Sequence, residues 1–383
     1  SSRPSLDGVR IGVNLHVTKE TAVLVKTLVH RGATVAVCGC NAFSTQNDVA
    51  AALASLESVS VYAVHGCSSE EFYSHINAVV ATKPHIIIDD GCDLTVSLAE
   101  TATKEGWIGE VIGGCEQTTS GVIRAKNMAN DGSLPFPIIT TNENKTKYLL
   151  DNYYGTGQSV MDGILRSTCV FVAAKTVVVA GYGPCGKGVA LRARGLGAMV
   201  IVTEVDAFCA LQAVYDGFAV MTMAKAAPLG DIFCTVTGNK SVITTDHMKT
   251  MKSGAILSNA GQFQIEIDVD GLKAASPEGV RVRDTMVKFT INERDIFLLG
   301  DGSLVNLSCA EGHPSEVMAT SFLGQALAVE HLLTNKGLPP GCHRLPDDQD
   351  LKIAALQLDA LSVSIDKQTG EQIKYASSWK EGY

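Results

Sequence analysis

The stretch VVVAGYGPCGKG at 177–188, followed by IVTEVD at 201–206, constrains this chain most. A hydrophobic run ends in Gly181, Gly183 and Gly186, and the next hydrophobic run closes on Glu204. That order predicts strand, tight turn, helix, strand and acid, the signature of a dinucleotide site. Gly181 allows the sharp turn, Gly183 lets the backbone approach a pyrophosphate, and Gly186 lets the helix sit against the sheet. The helix N-terminus faces the negative charge. Glu204 would accept from both hydroxyls of an adenosine ribose, which favours NAD over a 2′-phosphorylated cofactor. The competing reading is a glycine-rich turn with an unrelated acid.

A chain of 383 residues exceeds the size at which one core keeps growing, so two domains are expected. The net charge of −9 offers no basic surface to neutralise a run of phosphates, which excludes nucleic acid as a partner. No apolar run reaches the roughly 20 residues that span a bilayer, so no membrane is expected. The polar start SSRPSLDGVR lacks an apolar secretion core. Eleven cysteines, an odd number, point to reduced thiols and a cytoplasmic protein. Cys38 and Cys40 form a CxC pair with no matching second pair, so no metal site is expected.

Strand-like and helix-like segments alternate from VRIGVNLHV (9–17) to PHIIIDDG (84–91), and again from about 157 through AILSNAG. The fold expected is α/β: two doubly wound parallel-sheet domains, one of them a Rossmann NAD-binding domain, plus a short C-terminal tail. The period-two pattern in VRVRDTMVKFTINERDIFLLG suits an antiparallel excursion. PSEVMATSFLGQALAVEHLLTN reads as one long amphipathic helix. The division expected is 1–150 with 314–345 as the substrate domain, 151–313 as the NAD domain, and 346–383 as a tail. That tail has too little apolar mass to fold alone and is expected to pack on another subunit.

Open α/β sheets carry ligands at the carboxyl ends of their strands. His16, Asn41 and Asp90 stand at such ends. Asp89 and Asp90 are adjacent on a strand, so only one faces the crevice. Lys147 and Asp151 are four residues apart, which puts amine and carboxylate on one helix face. They form either a proton-transfer pair or a surface ion pair. His313 sits between Gly312 and Pro314, at a second junction, where it is a site residue or a packing histidine.

Taken together, NLHVTKETAVL, CNAFSTQNDVAAAL, DDGCDLT, EQTTSG, NENKTKYLLDNYYGTGQS, VVVAGYGPCGKG, VTGN and LVNLSCAEGHPSEVM resemble, in order, the serial motifs of S-adenosylhomocysteine hydrolases. The likeness runs from residue 1 to about 340, and SSWKEGY resembles the short tails of some members. It implies tightly held NAD and an adenine nucleoside as substrate. The 3′-hydroxyl is oxidised, the 4′ proton removed, the 5′ substituent eliminated, water added and the ketone reduced. By resemblance, Lys147 works on the 3′-hydroxyl with Asp151 as partner, Asp90 lies near the 3′ and 4′ positions, and His16 lies near C5′. Thr18, Glu20 and His313 belong to the base side, and Met318 is a further substrate-binding residue. Thr118, Thr119, Ser120, Asn152, Asn239 and Asn306 belong to the cofactor side. The family also implies a homo-oligomer, dimer or tetramer, in which Lys380 and Tyr383 of the tail approach a neighbour's cofactor.

The chain departs from the family's pattern in one group of positions. Gln117 replaces a glutamate that normally faces the sugar. GQFQ replaces GHFD, so Gln262 stands for a histidine near C5′ and Gln264 for an aspartate. Thr156 takes the place of a cysteine near the nicotinamide. Glutamine orients groups but exchanges no proton near neutral pH. Three readings stay open: the parent hydrolase, a specialised enzyme that dehydrates or epimerises a modified adenine nucleoside by the same 3′-keto chemistry, and a non-enzymatic scaffold.

Overall fold

Parallel strands covered on both faces need continuous apolar runs rather than alternation. Ile86, Ile87 and Ile88, and again Val177, Val178 and Val179, are fully buried as such runs. The structure, a computed structural model, describes residues 4–380. Tyr383 lies outside the described residues.

The first sheet contains β1 (Arg10–Leu15), β2 (Thr34–Gly39), β3 (Val59–Tyr62), β4 (Ile86–Asp89), β5 (Gly113–Glu116) and β6 (Pro137–Thr140). The second contains β7 (Thr176–Ala180), β8 (Met199–Thr203), β9 (Ala219–Val220), β10 (Ile232–Thr235), β11 (Ala255–Asn259), β12 (Val280–Arg283), β13 (Met286–Ile291) and β14 (Arg294–Leu299). A late strand, β15 (Gly341–His343), returns to the first sheet beside β6. The orders are β15-β6-β5-β4-β1-β2-β3 and β12-β13-β14-β11-β10-β7-β8-β9. Each sheet reverses direction of growth once, at β1/β4 and at β7/β10, and that switch is where a doubly wound sheet opens its crevice. The antiparallel excursion is β12–β13–β14, with β14 rejoining β11 in parallel.

Two elements differ from their sequence reading. FAVMTM yields only the two-residue β9 before a short helix, Met223–Ala226. The helix Ser315–Thr334 is not amphipathic in the usual sense: Thr320 to Phe322 and Gly324 to Val329 are buried in unbroken succession. Its surroundings explain this, because it packs on β5 and is flanked by the helices Lys19–His30 and Asp347–Ala360. The second of these belongs to the expected tail. Asp350 and Ile353 are buried against the chain's own body, whereas everything from 360 to 376 is exposed.

The helices Thr156–Thr168 and Pro184–Gly195 cross at a glycine contact. A Cβ on Gly188 would lie 1.8 Å from the carbonyl oxygen of Tyr153. Gly188→Ala should therefore destabilise the protein by about 1–3 kcal/mol, the usual cost of overpacking. Urea unfolding followed by circular dichroism checks this, and an unchanged midpoint would refute the contact's importance.

Candidate active site

The chain turns from the first sheet into the second through residues 141–168, and there its helix changes pitch. Lys145–Lys147 is a short α-helix, and Tyr148–Gly155 continues as a π-helix. A π-helix bonds i to i+5, so residues four and five apart share a face. Lys147, Asp151 and Asn152 thereby converge. The Lys147 Nζ donates to Asn142 Oδ1 and to Asn152 Oδ1, both at 2.9 Å, and stands 4.0 Å from Asp151 Oδ1. Lys147 and Asp151 are buried at 6% and 4% exposure, so they are no surface ion pair.

Asp151 also receives His313 Nδ1 at 2.9 Å and Ser321 Oγ at 2.5 Å. Burial alone would push its carboxyl up, but Lys147 and His313 hold it well below the usual carboxylate range. His313 Nε2 lies 3.3 Å from Thr156 Oγ1 and 3.5 Å from Asn306 Nδ2. The histidine between Gly312 and Pro314 is thus tied into the lysine's network.

His16 and Asp90 leave the adjacent ends of β1 and β4, at the switch point of the first sheet. His16 Nε2 is 3.8 Å from Asp90 Oδ2, and its Nδ1 meets Ser44 Oγ at 2.7 Å and Cys40 Sγ at 3.3 Å. Burial lowers the His16 pKa, and Asp90 only partly opposes this, so the ring is neutral at pH 7. Asp89 points the other way and accepts from Asn14 and Thr95 inside the sheet. Asp90 faces the crevice, and its Oδ1 is buried without a hydrogen-bond partner among the described residues. Its Oδ2 accepts from Gln117 Nε2, while Gln117 Oε1 accepts from Gln325 Nε2. Because a carboxylate only accepts and a terminal amide nitrogen only donates, these two partners fix the orientation of the Gln117 amide.

A single cavity of about 970 Å³ joins these groups to the glycine turn. Its lining includes His16, Thr18, Glu20, Asp90, Gln117, Lys147, Asp151, His313 and Met318 on one side. Thr118, Thr119, Ser120, Asn152, Gly181, Gly183, Glu204, Asn239, Gln262 and Asn306 also line it. Glu20 is buried, and its Oε1 accepts from Ser315 Oγ at 2.8 Å. Gly186 lies behind the turn: a Cβ there would meet the Gly181 carbonyl at 2.0 Å. Gln264 is exposed and outside the lining, so the substitutions do not all fall in one site.

Residues 181–204 fit NAD on structural grounds. Gly181 takes φ +105°, Gly183 leaves open space where a Cβ would stand, and the helix Pro184–Gly195 begins directly behind them. Glu204 closes β8 and accepts from the backbone nitrogens of Tyr182, Val205 and Asp206. The loop after β10 is held by buried Glu266, which accepts from Thr237 and Gly238. The buried Asn306 Oδ1 has no hydrogen-bond partner among the described residues.

Residues 152–312 match the family described as "S-adenosyl-L-homocysteine hydrolase, NAD binding domain", and residues 1–111 match "S-adenosyl-L-homocysteine hydrolase". A protein of Methanocaldococcus jannaschii named S-inosyl-L-homocysteine hydrolase is 50% identical over 376 residues, 98% of this chain and 90% of that protein. A protein of Saccharolobus solfataricus named adenosylhomocysteinase is 50% identical over 380 residues, with the same two coverages. The chain belongs to the S-adenosyl-L-homocysteine hydrolase family. It is an NAD-dependent hydrolase of that family. The fold alone is shared more widely: a dipicolinate synthase chain from Bacillus halodurans superposes with a TM-score of 0.51 at 12% identity, covering 86% of this chain and 98% of that one.

Several participants carry no sequence signal of their own. Cys40, Asn142, Ser321 and Gln325 enter the site from different elements, and only the folded chain brings them together. The donor atoms of His16, Cys40 and Asp90 come within 4.8 Å of one another, a clustering that no spacing rule finds. Thr156 Oγ1 lies 3.6 Å from Cys185 Sγ, so the glycine turn places a thiol beside this helix position. Thr118 is also the N-cap of Thr119–Asp131, accepting from Gly121 N at 2.9 Å. Among the described residues no helix is long and apolar enough to cross a membrane.

Glu204→Ala should weaken NAD binding without loss of fold, because a charge-assisted pair to the ribose is removed. Nucleotide released on denaturation, together with titration of the stripped protein, measures it. Unchanged affinity would overturn the assignment of Glu204.

Proposed function

We propose that the chain hydrolyses S-adenosyl-L-homocysteine through a transient 3′-ketone. The observation that carries the reading is the buried Lys147, fixed between Asn142 and Asn152 in the cavity shared by the glycine turn, His16 and Asp90. NAD, when bound, supplies the hydride acceptor for the 3′ carbon and returns the hydride at the end. Lys147 takes the 3′-hydroxyl proton, with Asp151 and the two asparagines holding its amine in place. The resulting carbonyl acidifies the 4′ hydrogen. Asp90 Oδ1, buried and unpartnered, offers the acceptor for that proton. The C4′–H and C5′–S bonds break as C4′=C5′ forms. His16, neutral at rest and 3.8 Å from Asp90, relays the proton from that carboxyl to the departing thiolate. Water then adds at C5′ by the reverse path.

The base side favours adenine. Glu20 offers carboxyl oxygens as acceptors, one of them also accepting from Ser315. It complements a 6-amino group, whereas hypoxanthine presents an oxo group there. The amides of Gln117 and Gln262 support the second reading, a nucleoside altered at its sugar or 5′ group. Gln262 Nε2 lies 3.5 Å from the Asp90 carbonyl, where it orients without exchanging protons. The deciding measurement is kcat/KM on S-adenosylhomocysteine, S-inosylhomocysteine and a panel of hydroxylated adenine nucleosides. Turnover of the adenosyl thioether at about 10⁴ M⁻¹s⁻¹ or above is expected. Lys147→Met should abolish cofactor reduction, since a general base supplies about 10²–10⁴-fold. Poor thioether turnover with efficient use of a panel member would replace the hydrolase by the dehydratase or epimerase.

The exposed tail supports a homo-oligomer. Leu361, Val363, Ile365, Ile373, Tyr375 and Trp379 are solvent-exposed, as are Phe208, Leu211 and Tyr215 on the helix following Glu204. Two apolar faces on one chain suit reciprocal docking between copies, with Lys380 as a tail group that would approach a neighbour's cofactor. Eleven free thiols favour a reducing, cytoplasmic setting. Light scattering at micromolar concentration should give a dimer or tetramer, and removal of residues 361–383 should lower the mass. A monomer for the full chain would refute the docking.

A further inference from the structure

We propose that Asp350, on the C-terminal segment, is a positioning residue for the catalytic lysine. The helix Lys145–Lys147 is only three residues long, and its own N-cap, Asn144, makes no side-chain capping bond. Its first amide donors would be left unsatisfied in a buried place. Asp350 satisfies them from two hundred residues away. Its Oδ2 accepts from Lys145 N at 2.6 Å, and its Oδ1 accepts from Thr146 N at 3.3 Å and from the Thr146 hydroxyl. Asp350 and Thr146 are both buried.

Everything chemical in the next turn hangs from that anchor. Lys147 follows Thr146 directly, and the π-helix that aligns Asp151 and Asn152 begins at Tyr148. A π-helix is a strained register that persists only where its surroundings hold it. His313 and Ser321 grip Asp151 farther along, but among the described side chains only Asp350 accepts from the backbone amides of Lys145 and Thr146 that start the turn. The anchoring helix is itself seated: Ile353, one turn after Asp350, is fully buried, and it packs on Ser315–Thr334. The C-terminal segment is therefore part of the catalytic apparatus, as well as a surface for other copies.

The inference rests on Lys147 acting on the 3′-hydroxyl, and the test separates the two. Single-turnover reduction of bound cofactor at saturating substrate is measured in the intact oligomer for Asp350→Ala, Asp350→Asn, Thr146→Val and Lys147→Met. Amide hydrogen exchange is followed in the peptide covering 144–152. Asp350→Ala should slow the rate constant about 10- to 100-fold, the range for a displaced catalytic group. KM should change little and NAD should stay bound. Exchange at 144–152 should quicken while the β7–β11 region is unchanged. Asp350→Asn, which keeps one acceptor oxygen, should fall between. Thr146→Val removes only the hydroxyl bond and should lose about two- to tenfold. Added to Asp350→Ala it should cost nothing further, because the two act as one unit. A normal rate constant in Asp350→Ala, or faster exchange throughout the protein, would overturn the positioning role. Full reduction by Lys147→Met would overturn the reading of Lys147 itself.

Discussion

An ionised carboxylate buried in protein is expensive unless charge and hydrogen bonds meet it on every side, and Asp151 is such a group. Its partners come from three segments: Lys147 from the turn itself, His313 from the loop between the two units, and Ser321 from the long helix. Withdrawing any of them removes a charge partner or a hydrogen bond from a buried anion, so the carboxylate works as a crosslink. The sign of its pKa shift says the same. A carboxyl held below its unfolded value stabilises the fold above about pH 3.9, and that contribution is lost as pH falls further. This one side chain thus ties together groups on the cofactor side and the substrate side of the cavity.

The two sheets make that placement useful. Both follow the same winding, and both open at the switch point beside their first strand. One switch point supplies His16 and Asp90, the other Gly181 and the loop held by Glu266. A small set of ordering rules thus puts a proton-handling crevice and a dinucleotide crevice on one cavity. Phe263, beside Gln262, reaches across to the first unit. Arg124 lies over its ring at 5.8 Å and also bonds the Gly91 carbonyl at 2.5 Å. The floor of the crevice and its far wall are joined there.

Features governed by local rules were legible in the sequence. The glycine turn needs positive φ at Gly181, and the alternation of a strand separates Asp89 from Asp90. Strand ends predicted a crevice at His16. What escaped the sequence depends on side chains meeting across the fold. The spacing of Lys147 and Asp151 predicted a shared helix face but not the π register that adds Asn152. Nothing in DDQDLKIAA announces that Asp350 caps a helix two hundred residues earlier, because the cap and the helix are neighbours only in space. Gln264 sits two residues beyond Gln262 and yet faces solvent, since the chain leaves the cavity after Gln262. The burial of Ser315–Thr334 on most sides likewise follows from what covers it, not from its own periodicity.

The glutamine at 117 acquires a meaning from its neighbours' charges. Asp89 and Glu116 face each other in register on β4 and β5, with Asp90 next in line. Burial, opposed by the Thr95 and Asn14 bonds, raises the Asp89 pKa to about 6. Burial and the two aspartates together push Glu116 well above the usual carboxylate range. A carboxylate at 117 would add another negative charge to this group. The amide adds none, and gives Asp90 a donor instead. The same argument reaches His16. Each anion beside an imidazole favours its charged form, and Asp90 already opposes the effect of burial there. With Gln262 in place of a second imidazole, His16 is the one ring left beside Asp90 to carry a proton. An uncharged residue at 117 keeps that ring neutral and so free to accept one. The substitutions at 117 and 262 therefore act on a single electrostatic balance rather than as two separate losses.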